Sequence, residues 1–204
     1  MKDWTGTKNS LFKTLGAGGA HADSERELHD YYATHPSTIP PLLLALKKRG
    51  ESLSKRLWEN ACGECHLSNE LENHGFSVRS SDIIQRSVPV EILDFLNNGR
   101  PMAGADIITN PPFRYATEWV YRSLQCVDKG RKVVLFLKLL FLEGKQRRHL
   151  FEEHPPKYVF VFSARQICAM NGEFKEKTRN GSAACYAWFV WEKGYRGDTV
   201  IDWI

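Results

Sequence analysis

The stretch at residues 106–113, DIITNPPF, combines residue types that could bind an amino group attached to a planar ring. Its first four residues predict a buried strand, and the chain becomes polar at Asn110. Pro111 and Pro112 hold φ at about −65°, and a residue before proline is driven to an extended conformation, so we expect a rigid corner. There the Asn110 amide oxygen and the Pro111 carbonyl could accept two hydrogen bonds from one amine while Phe113 stacks on its ring. The simpler interpretation is a helix-opening turn with a capping asparagine.

A second stretch, LWENACGECHLSNELENHG at residues 57–75, predicts a strand, a tight turn and a helix. Glu59 ends the strand, and the small residues Ala61 and Gly63 let the backbone approach a ligand closely. The following helix offers unpaired N–H groups at its start. Asp82 ends the next predicted strand, where an acid can accept hydrogen bonds from ribose hydroxyls. The pattern favours a nucleotide-like cofactor over a plain strand–helix connection, and it lacks the full G-x-G-x-x-G spacing of dinucleotide sites.

The chain contains five cysteines, of which Cys62 and Cys65 form a C-x-x-C pair. A zinc site needs four ligands, and the other cysteines are isolated in the sequence. A thioredoxin-like redox pair is the alternative, but it lacks supporting residues. We therefore expect no metal, and we expect the cysteines to be reduced.

The composition is that of an ordinary globular protein: 204 residues, 42% hydrophobic and 25% charged, with a formal net charge of +4. This permits a nucleic-acid partner without requiring one. No apolar run approaches the roughly 20 residues of a membrane span, and the N-terminal segment has no apolar signal core. These features predict a cytoplasmic protein without membrane contact.

The elements that must position these motifs alternate along the chain. Residues 1–35 are polar and predict an N-terminal arm or cap, and residues 36–204 predict a single domain. The predicted strands are KRLWEN (55–60), FSVRSSD (76–82), ADIITN (105–110), part of RKVVLFLKLLFL (131–142), KYVFVFS (157–163) and ACYAWFVWE (184–192). Helical patterns separate most of them, which predicts a parallel sheet covered on both faces. VEILDFL (90–96) is ambiguous and could be a helix running into a short strand. The last two strands have only a polar segment between them, so we expect an antiparallel hairpin there.

Together these motifs resemble those of S-adenosylmethionine-dependent DNA methyltransferases that modify amino groups, specifically the small phage- and prophage-type adenine-N6 enzymes. NPPF (110–113) matches the catalytic motif, and WENACGECHLS (58–68) resembles the cofactor motif. SSDI (80–83) resembles the segment with the ribose-binding acid, and LDFL (93–96) the adenine-ring segment. DYYATHPSTIPPLL (30–43) resembles the upstream cofactor segment. The resemblance covers most of the chain.

The resemblance implies an α/β, Rossmann-like class I methyltransferase fold, with a mostly parallel seven-stranded sheet and a C-terminal antiparallel hairpin. Residues 36–204 would be the catalytic domain and S-adenosyl-L-methionine the cofactor. The implied activity is site-specific methylation of adenine N6 in double-stranded DNA, with the target adenine flipped out. The implied catalytic residues are Asn110, Pro111, Pro112 and Phe113. The implied cofactor-binding residues are Thr34, Pro36, Glu59, Ala61, Gly63, Asp82, Ile83, Asp94, Phe95 and Asn110.

Individual roles follow from the same resemblance. Glu59 would lie near the methionine end of the cofactor, and Asp82 would hold its ribose. Asp94 would face the adenine amino group of the cofactor, with Phe95 beside that ring. The sequence departs from the family pattern at Cys65, where a second glycine is usual. It departs again at Asn60, where proline or a small residue is common, and at Phe113, which replaces the commoner tyrosine.

DNA contact would come from two basic segments, for which a solvated charged surface is the alternative. Their candidate residues are Lys145, Arg147, Arg148, Lys175, Lys177 and Arg179. Other interpretations remain open: methylation of an RNA base or a protein glutamine amide, or a non-catalytic nucleic-acid-binding module with a degenerate cofactor pocket. The sequence contains no Pro-Cys dipeptide, which argues against cytosine-C5 methylation. A role in restriction-modification or in regulation is equally compatible with these residues.

Overall fold

A strongly apolar strand, KVVLFLK at Lys132–Lys138, lies in the middle of the main sheet and is buried except at its last residue. The computed structural model describes residues 32–166 and 184–204, together with the backbone of residues 168–170. All of them belong to one compact unit, Tyr31–Ile204. The predicted arm at residues 1–35 lies outside the described residues up to residue 31.

Ten strands and five α-helices occur in the described residues, numbered here in chain order. The strands are β1 Tyr32–Thr34, β2 Arg56–Glu59, β3 Ser77–Asp82, β4 Glu91–Ile92, β5 Asp106–Thr109, β6 Lys132–Lys138, β7 Tyr158–Val161, β8 Cys168–Met170, β9 Tyr186–Glu192 and β10 Val200–Trp203. The helices are α1 Ile39–Lys48, α2 His66–Asn73, α3 Phe95–Asn98, α4 Ala116–Cys126 and α5 Arg148–Glu153. Short 3-10 turns occupy Pro36–Thr38, Phe113–Tyr115, Leu139–Leu142 and Lys145–Arg147.

The main sheet has eight strands in the order β10-β7-β9-β6-β5-β2-β3-β4. Strand β9 runs antiparallel to both of its neighbours, β6 and β7, and every other neighbouring pair is parallel. The predicted α/β architecture, a mostly parallel sheet with a C-terminal antiparallel hairpin, is confirmed. A separate two-stranded sheet pairs β1 with β8, so the polar segment between the last two predicted strands contains a short strand of its own.

The sheet has eight strands rather than the predicted seven. The additional strand is β10, from GDTVIDWI at residues 197–204, which pairs parallel with β7. Its apolar residues Ile201 and Trp203 are 49% and 68% exposed, so the segment lacks the buried alternation that predicts a strand. Asp202 on the same strand forms an ion pair with Arg49 at 2.6 Å, which joins β10 to the end of α1.

The ambiguous segment 90–96 forms a short strand followed by a helix, the reverse of the predicted order. Ile92 pairs with Asp82 of β3. The side chain of Asp94 then accepts a hydrogen bond from the Asn97 backbone N–H at 3.2 Å, so the helix can begin only at Phe95. The capping aspartate starts the helix after the strand and so explains the order.

Neighbouring residues on the central strands divide the apolar core between the two faces of the sheet. Trp58, Ile107 and Val133 pack on one face together with α4. Leu57, Ile108 and Val134 pack on the other face together with α1 and α2. Because successive side chains of a strand point to opposite faces, both faces of these strands are buried, as the continuous apolar runs predict.

An ion-pair cluster lies at the edge of the sheet where the parallel strands begin. Glu51 contacts Lys132 at 3.0 Å and Lys157 at 2.6 Å, and Lys157 also contacts Glu192 at 2.9 Å. Burial alone would raise the pKa of Glu51, but its hydrogen bonds and charge interactions with Lys157 and Lys132 hold that pKa below its usual value. The cluster ties the starts of β6 and β7 to the end of β9, at the edge opposite the carboxyl ends of the parallel strands.

Candidate functional site

Several of the predicted site residues lie at the carboxyl ends of β2, β3 and β5, which meet at one edge of the sheet. Strands β2 and β5 are neighbours in the sheet. The next strand beside β2 is β3, and the next strand beside β5 is β6, so the chain order runs in opposite directions from this pair. A reversal of strand order of this kind opens a crevice outside the carboxyl ends of the strands, where open α/β sheets bind ligands. Trp58 of β2 pairs with Ile107 of β5, so Glu59 and Asn110 leave the sheet at the same edge.

Asn110 is held by a hydrogen bond from its side-chain amide. Its Nδ2 donates to the backbone carbonyl of Tyr32 in β1 at 2.7 Å. Because a carbonyl can only accept, the amide nitrogen must face Tyr32, and this fixes the opposite direction for Oδ1. That oxygen is buried and has no hydrogen-bond partner among the described residues. An unpaired buried acceptor costs stability, so Asn110 Oδ1 marks a place where a donor is missing.

The two prolines and Phe113 form the corner that the sequence predicts. Pro112 has φ −54° and ψ 118°, and its carbonyl accepts from Tyr115 N–H at 3.0 Å to open the 3-10 turn before α4. Asn110 therefore does not cap this helix. No described residue donates to the carbonyl of Pro111. The Phe113 ring lies 6.5 Å from Tyr32 at an interplanar angle of 18°, and 6.0 Å from Tyr186.

The turn after β2 is fixed to the end of β3. Gly63 has φ 53°, and its N–H donates to Asp82 Oδ2 at 2.8 Å. Asp82 is buried, and its other oxygen accepts from the Ile84 N–H at 3.4 Å. Cys65 adopts φ 63° and ψ 24°, a left-handed conformation that favours glycine. The turn thus keeps a glycine-type backbone at the position where cysteine replaces the usual glycine.

Glu59 is 2% exposed and interacts with α2 through Ser68, whose hydroxyl donates to its Oε2. The Ser68 hydroxyl is also 2.6 Å from that of Ser80 on β3. Burial raises the pKa of Glu59 well above its usual value, and the hydrogen bond from Ser68 opposes that rise only in part. A buried acid of this kind can accept a further hydrogen bond through its second oxygen or, when protonated, donate one.

Asn60, which the sequence analysis names only as a departure from the family pattern, directly follows Glu59 at the end of β2. Its Oδ1 accepts from Trp119 Nε1 at 2.9 Å, and it is 1% exposed. Its Nδ2 is buried without a partner among the described residues, and so is the Oγ1 of Thr34 at the end of β1. Buried polar atoms are normally paired. Thr34, Asn60 and Asn110 therefore each carry a polar atom that a bound molecule could satisfy.

Three further predicted cofactor-binding residues, Ile83, Asp94 and Phe95, differ from one another in exposure and in contacts. Ile83 is 49% exposed beside Asp82. Both oxygens of Asp94 accept from Asn97, one from its backbone and one from its side chain at 2.7 Å. Phe95 is 2% exposed and packs against Trp58 and Trp119 at ring distances of 5.2 and 5.0 Å.

Pro36 and Ala61 are half-buried, in the turn before α1 and in the turn after β2. The described structure thus brings Thr34, Glu59, Ala61, Gly63, Asp82 and Asn110 to one edge of the sheet, with Ile83 following Asp82.

The basic residues predicted to contact DNA differ in whether their charged groups already interact with other parts of the protein. The guanidinium of Arg147 donates to the backbone carbonyls of Phe141 at 2.8 Å, Leu140 at 3.3 Å and Glu143. Arg148 pairs with Glu152 at 2.7 Å. Lys145 is exposed and forms no ion pair within the described residues. The other three candidates, Lys175, Lys177 and Arg179, lie outside the described residues.

A pocket of about 170 Å³ opens next to the corner. Its lining consists of Phe113, Ala116, Leu137, Lys138, Leu140, Phe141 and Arg147. The ammonium of Lys138 lies 5.0 Å from the centre of the Phe113 ring. Lys138 is a residue that the sequence reasoning missed, although its signal was present: like Glu59 and Asp82, it is a polar residue at the carboxyl end of a strand.

Cys62 and Cys65 are both free thiols, the first buried and the second half-buried. A hydrogen bond from the Cys62 thiol lowers the pKa of Cys65 to about 7, although burial alone would raise it. The same contact raises the pKa of Cys62. The described residues contain no group of three or more His, Cys, Asp or Glu side chains arranged to hold a metal ion. In the same part of the chain, no helix is both long and apolar enough to cross a membrane.

No family model matches the chain, and no curated sequence matches it. Similarity to known proteins is found only by comparison with solved structures. A Listeria monocytogenes protein, provisionally described as a class I S-adenosylmethionine-dependent methyltransferase, has a TM-score of 0.59 at 11% identity over 98% of this chain and 74% of its own. A Pyrococcus horikoshii protein, provisionally described as an RNA methyltransferase, has a TM-score of 0.55 at 13% identity over 89% of this chain and 98% of its own.

The methyltransferase subunit of a type I restriction-modification system from Streptococcus thermophilus has a TM-score of 0.56 at 14% identity. The match covers 86% of this chain and 48% of that subunit. At these identities the likeness establishes the fold alone. The protein has the Rossmann-like class I methyltransferase fold, extended by strand β10.

Proposed function

We propose that this protein transfers a methyl group from S-adenosyl-L-methionine to the exocyclic N6 amino group of adenine in DNA. The observation that carries the proposal is the buried, unpaired Oδ1 of Asn110, which the bond from Nδ2 to Tyr32 holds in one direction. An aromatic amine offers two N–H donors. Asn110 Oδ1 and the Pro111 carbonyl are two acceptors in a rigid corner, and Phe113 beside them offers a face for the ring.

The residues at the carboxyl edge fit the proposed cofactor. S-adenosylmethionine supplies an electrophilic methyl group on a sulfonium centre. At Gly63 a ligand would meet backbone rather than a side chain, because glycine has no Cβ, and the positive φ of this residue favours glycine. We assign Asp82 to the ribose, the exposed Ile83 to the adenine face, and Glu59 with Thr34 to the methionine end. The unpaired atoms of Thr34 and Asn60 support a polar ligand here.

Catalysis in this proposal depends on position and electrostatics. Hydrogen bonds from the amine to Asn110 Oδ1 and the Pro111 carbonyl would fix the orientation of the nitrogen and its lone pair. Prolines at 111 and 112 would keep both acceptors in place. The adenine must leave its base pair to reach this corner, because its amino group is paired in duplex DNA. No covalent intermediate between enzyme and base is needed.

RNA is the second candidate substrate. The proposed contacts at the corner are to an amine on a ring, and none of them distinguishes ribose from deoxyribose. The similar Pyrococcus fold described as an RNA methyltransferase makes this a candidate worth a direct test. A protein glutamine amide could also offer two N–H donors to the same acceptors, but it has no aromatic ring for Phe113. A base therefore fits the corner better than an amide does.

The test is incubation of the purified protein with methyl-labelled cofactor and separate DNA, RNA and protein substrates. Digestion and chromatography of the nucleosides then identify the methylated atom. We expect label in N6-methyl-2′-deoxyadenosine from DNA. Label found only in RNA or only in protein would contradict the proposal that DNA is the substrate and would identify the actual substrate class. Cofactor binding without label in any substrate would support the non-catalytic module instead.

A further inference from the structure

The pocket beside Phe113 contains one cation that is not committed to another part of the protein. Lys138 ends β6 at the same edge as Asn110, is exposed, and forms no ion pair within the described residues. Its ammonium lies 5.0 Å from the centre of the Phe113 ring. Arg147, the other cation of this pocket, is occupied by the carbonyls of Phe141, Leu140 and Glu143. Of the two cations in this pocket, Lys138 is therefore the one that is available to bind a ligand.

The side chains that line the pocket indicate which class of ligand it could bind. Apart from the two cations, the pocket is lined by the apolar side chains of Phe113, Ala116, Leu137, Leu140 and Phe141. Leu140 is 66% exposed, which leaves apolar surface open at the pocket. An aromatic face, apolar walls and one free ammonium together suit a planar ring that carries an anion. The ammonium can only donate, so its natural partner is an acceptor with negative charge.

Resting on the proposed function, we infer that Lys138 binds a phosphate that flanks the flipped target nucleotide. In the protein alone, the ammonium rests against Phe113 in a cation–π contact. The four-carbon stem of lysine is flexible. When a base stacks on Phe113, the ammonium moves to the phosphate and the ring becomes available to the base. Lys138 thus distinguishes a nucleotide of a nucleic acid from a free nucleoside or an amide.

The salt dependence of DNA binding tests this inference without requiring turnover. Binding of a fluorescent duplex oligonucleotide is measured from low to moderate salt with S-adenosylhomocysteine present. Each lost phosphate contact reduces the slope of log K against log salt by about 0.9. We expect that reduction for Lys138→Met, and the wild-type slope for Lys138→Arg. Lys129→Met is the matched control, because Lys129 is exposed in the turn before β6, at the opposite end of the same strand.

An unchanged slope in Lys138→Met would overturn the inference and leave Lys138 as a packing partner of Phe113. An equal loss in Lys129→Met would also overturn it, since the effect would then be one of net charge. Lys138→Gln provides a second neutral variant should Lys138→Met fail to give a native circular dichroism spectrum.

A second measurement separates this inference from the proposed function. The protein is titrated with 2′-deoxyadenosine and with 2′-deoxyadenosine 3′,5′-bisphosphate by calorimetry. Wild type should bind the bisphosphate more tightly, and Lys138→Met should bind the two alike. If this difference appears but no DNA is methylated, the proposed function fails and the phosphate contact stands. If DNA is methylated but Lys138→Met retains the preference for the bisphosphate, the inference fails alone.

Discussion

The side-chain amide of Asn110 donates a hydrogen bond to the backbone carbonyl of Tyr32 at 2.7 Å, across 78 positions of sequence. This bond ties the corner after β5 to β1. It also fixes the orientation of the amide, because the Tyr32 carbonyl can accept only from the nitrogen end. The corner after β5 is therefore held in place by a segment that lies outside the central sheet.

Asp82 should be required for cofactor binding through the turn that it holds. Its carboxylate accepts from the Gly63 and Ile84 N–H groups, so Asp82→Ala leaves one buried and one half-buried donor unpaired. Each unpaired group costs about 1–3 kcal/mol in this turn conformation, which favours other conformations of the turn, so we expect the dissociation constant for S-adenosylmethionine to rise about tenfold or more. Calorimetry checks this, and Asp82→Asn, which keeps one acceptor oxygen, should fall between alanine and wild type.

The matched control is Asp128→Asn. Asp128 also accepts from a glycine N–H, that of Gly104 at 2.7 Å, but it lies before β6 at the opposite edge of the sheet. Weakening of cofactor binding by Asp128→Asn as much as by Asp82→Asn would contradict the assignment.

Cys65→Gly should stabilise the protein. Cys65 is the one described non-glycine residue with positive φ, at 63°. A residue with a side chain pays about 1–2 kcal/mol for this conformation, so glycine should raise the free energy of unfolding by about 1 kcal/mol. Urea denaturation measures it, and Cys65→Ala is the control, because alanine removes the sulfur but keeps the strain. The explanation is wrong if glycine is no more stable than alanine.

The reactivity of Cys65 should change near neutral pH. Its pKa is lowered to about 7 by the hydrogen bond from Cys62, so the thiolate dominates above pH 7 and the protonated thiol below it. The rate of alkylation by iodoacetamide, followed at the Cys65 peptide by mass spectrometry, should rise through pH 7 and level off above it. Cys62→Ala removes the donor, and the midpoint should move towards the ordinary thiol value of about 8.5. An unmoved midpoint would contradict this pairing.

Glu51→Gln should destabilise the protein at neutral pH and have little effect at low pH. The folded-state pKa of Glu51 is lowered, so its contribution is present above the unfolded value of about 4.3 and is lost as pH falls through the folded value. Because Lys132 and Lys157 both lose a partly buried partner, we expect a loss of about 1–3 kcal/mol at pH 7.

Denaturation of both proteins between pH 7 and pH 3 measures the difference, which should shrink in that interval. Glu152→Gln, in an exposed pair with Arg148, should leave stability unchanged. A difference for Glu51→Gln that persists at pH 3 would mean that packing, rather than charge, is responsible.

The sequence predicts the central sheet and the polar residues at its edge for one physical reason. Strands β2, β5 and β6 each have buried apolar residues at their centre. The polar residues at or just after their carboxyl ends, Glu59, Asn110 and Lys138, stand out against them. The same logic selected the first two and overlooked Lys138, whose strand continues into further apolar residues. Strand β10 was missed because its apolar side chains face solvent.

Other features of the site depend on contacts that no local pattern encodes. The bond from Asn110 to Tyr32 and that from Trp119 to Asn60 join distant segments. The basic run at residues 145–148 looks like a DNA-binding surface, but Arg147 turns back onto the carbonyls of its own loop. Asp94 had a local signal, since an aspartate before a short helix is a common cap.

The most direct test of the central claim is methylation-aware sequencing of DNA from cells that express the wild-type protein or Asn110→Ala. The variant lacks the acceptor oxygen, and calorimetry should show that it still binds S-adenosylmethionine. We predict N6-methyladenine at a recurrent sequence with wild type, and none above background with Asn110→Ala. Equal methylation by the two proteins would contradict the proposed role of the Asn110 corner.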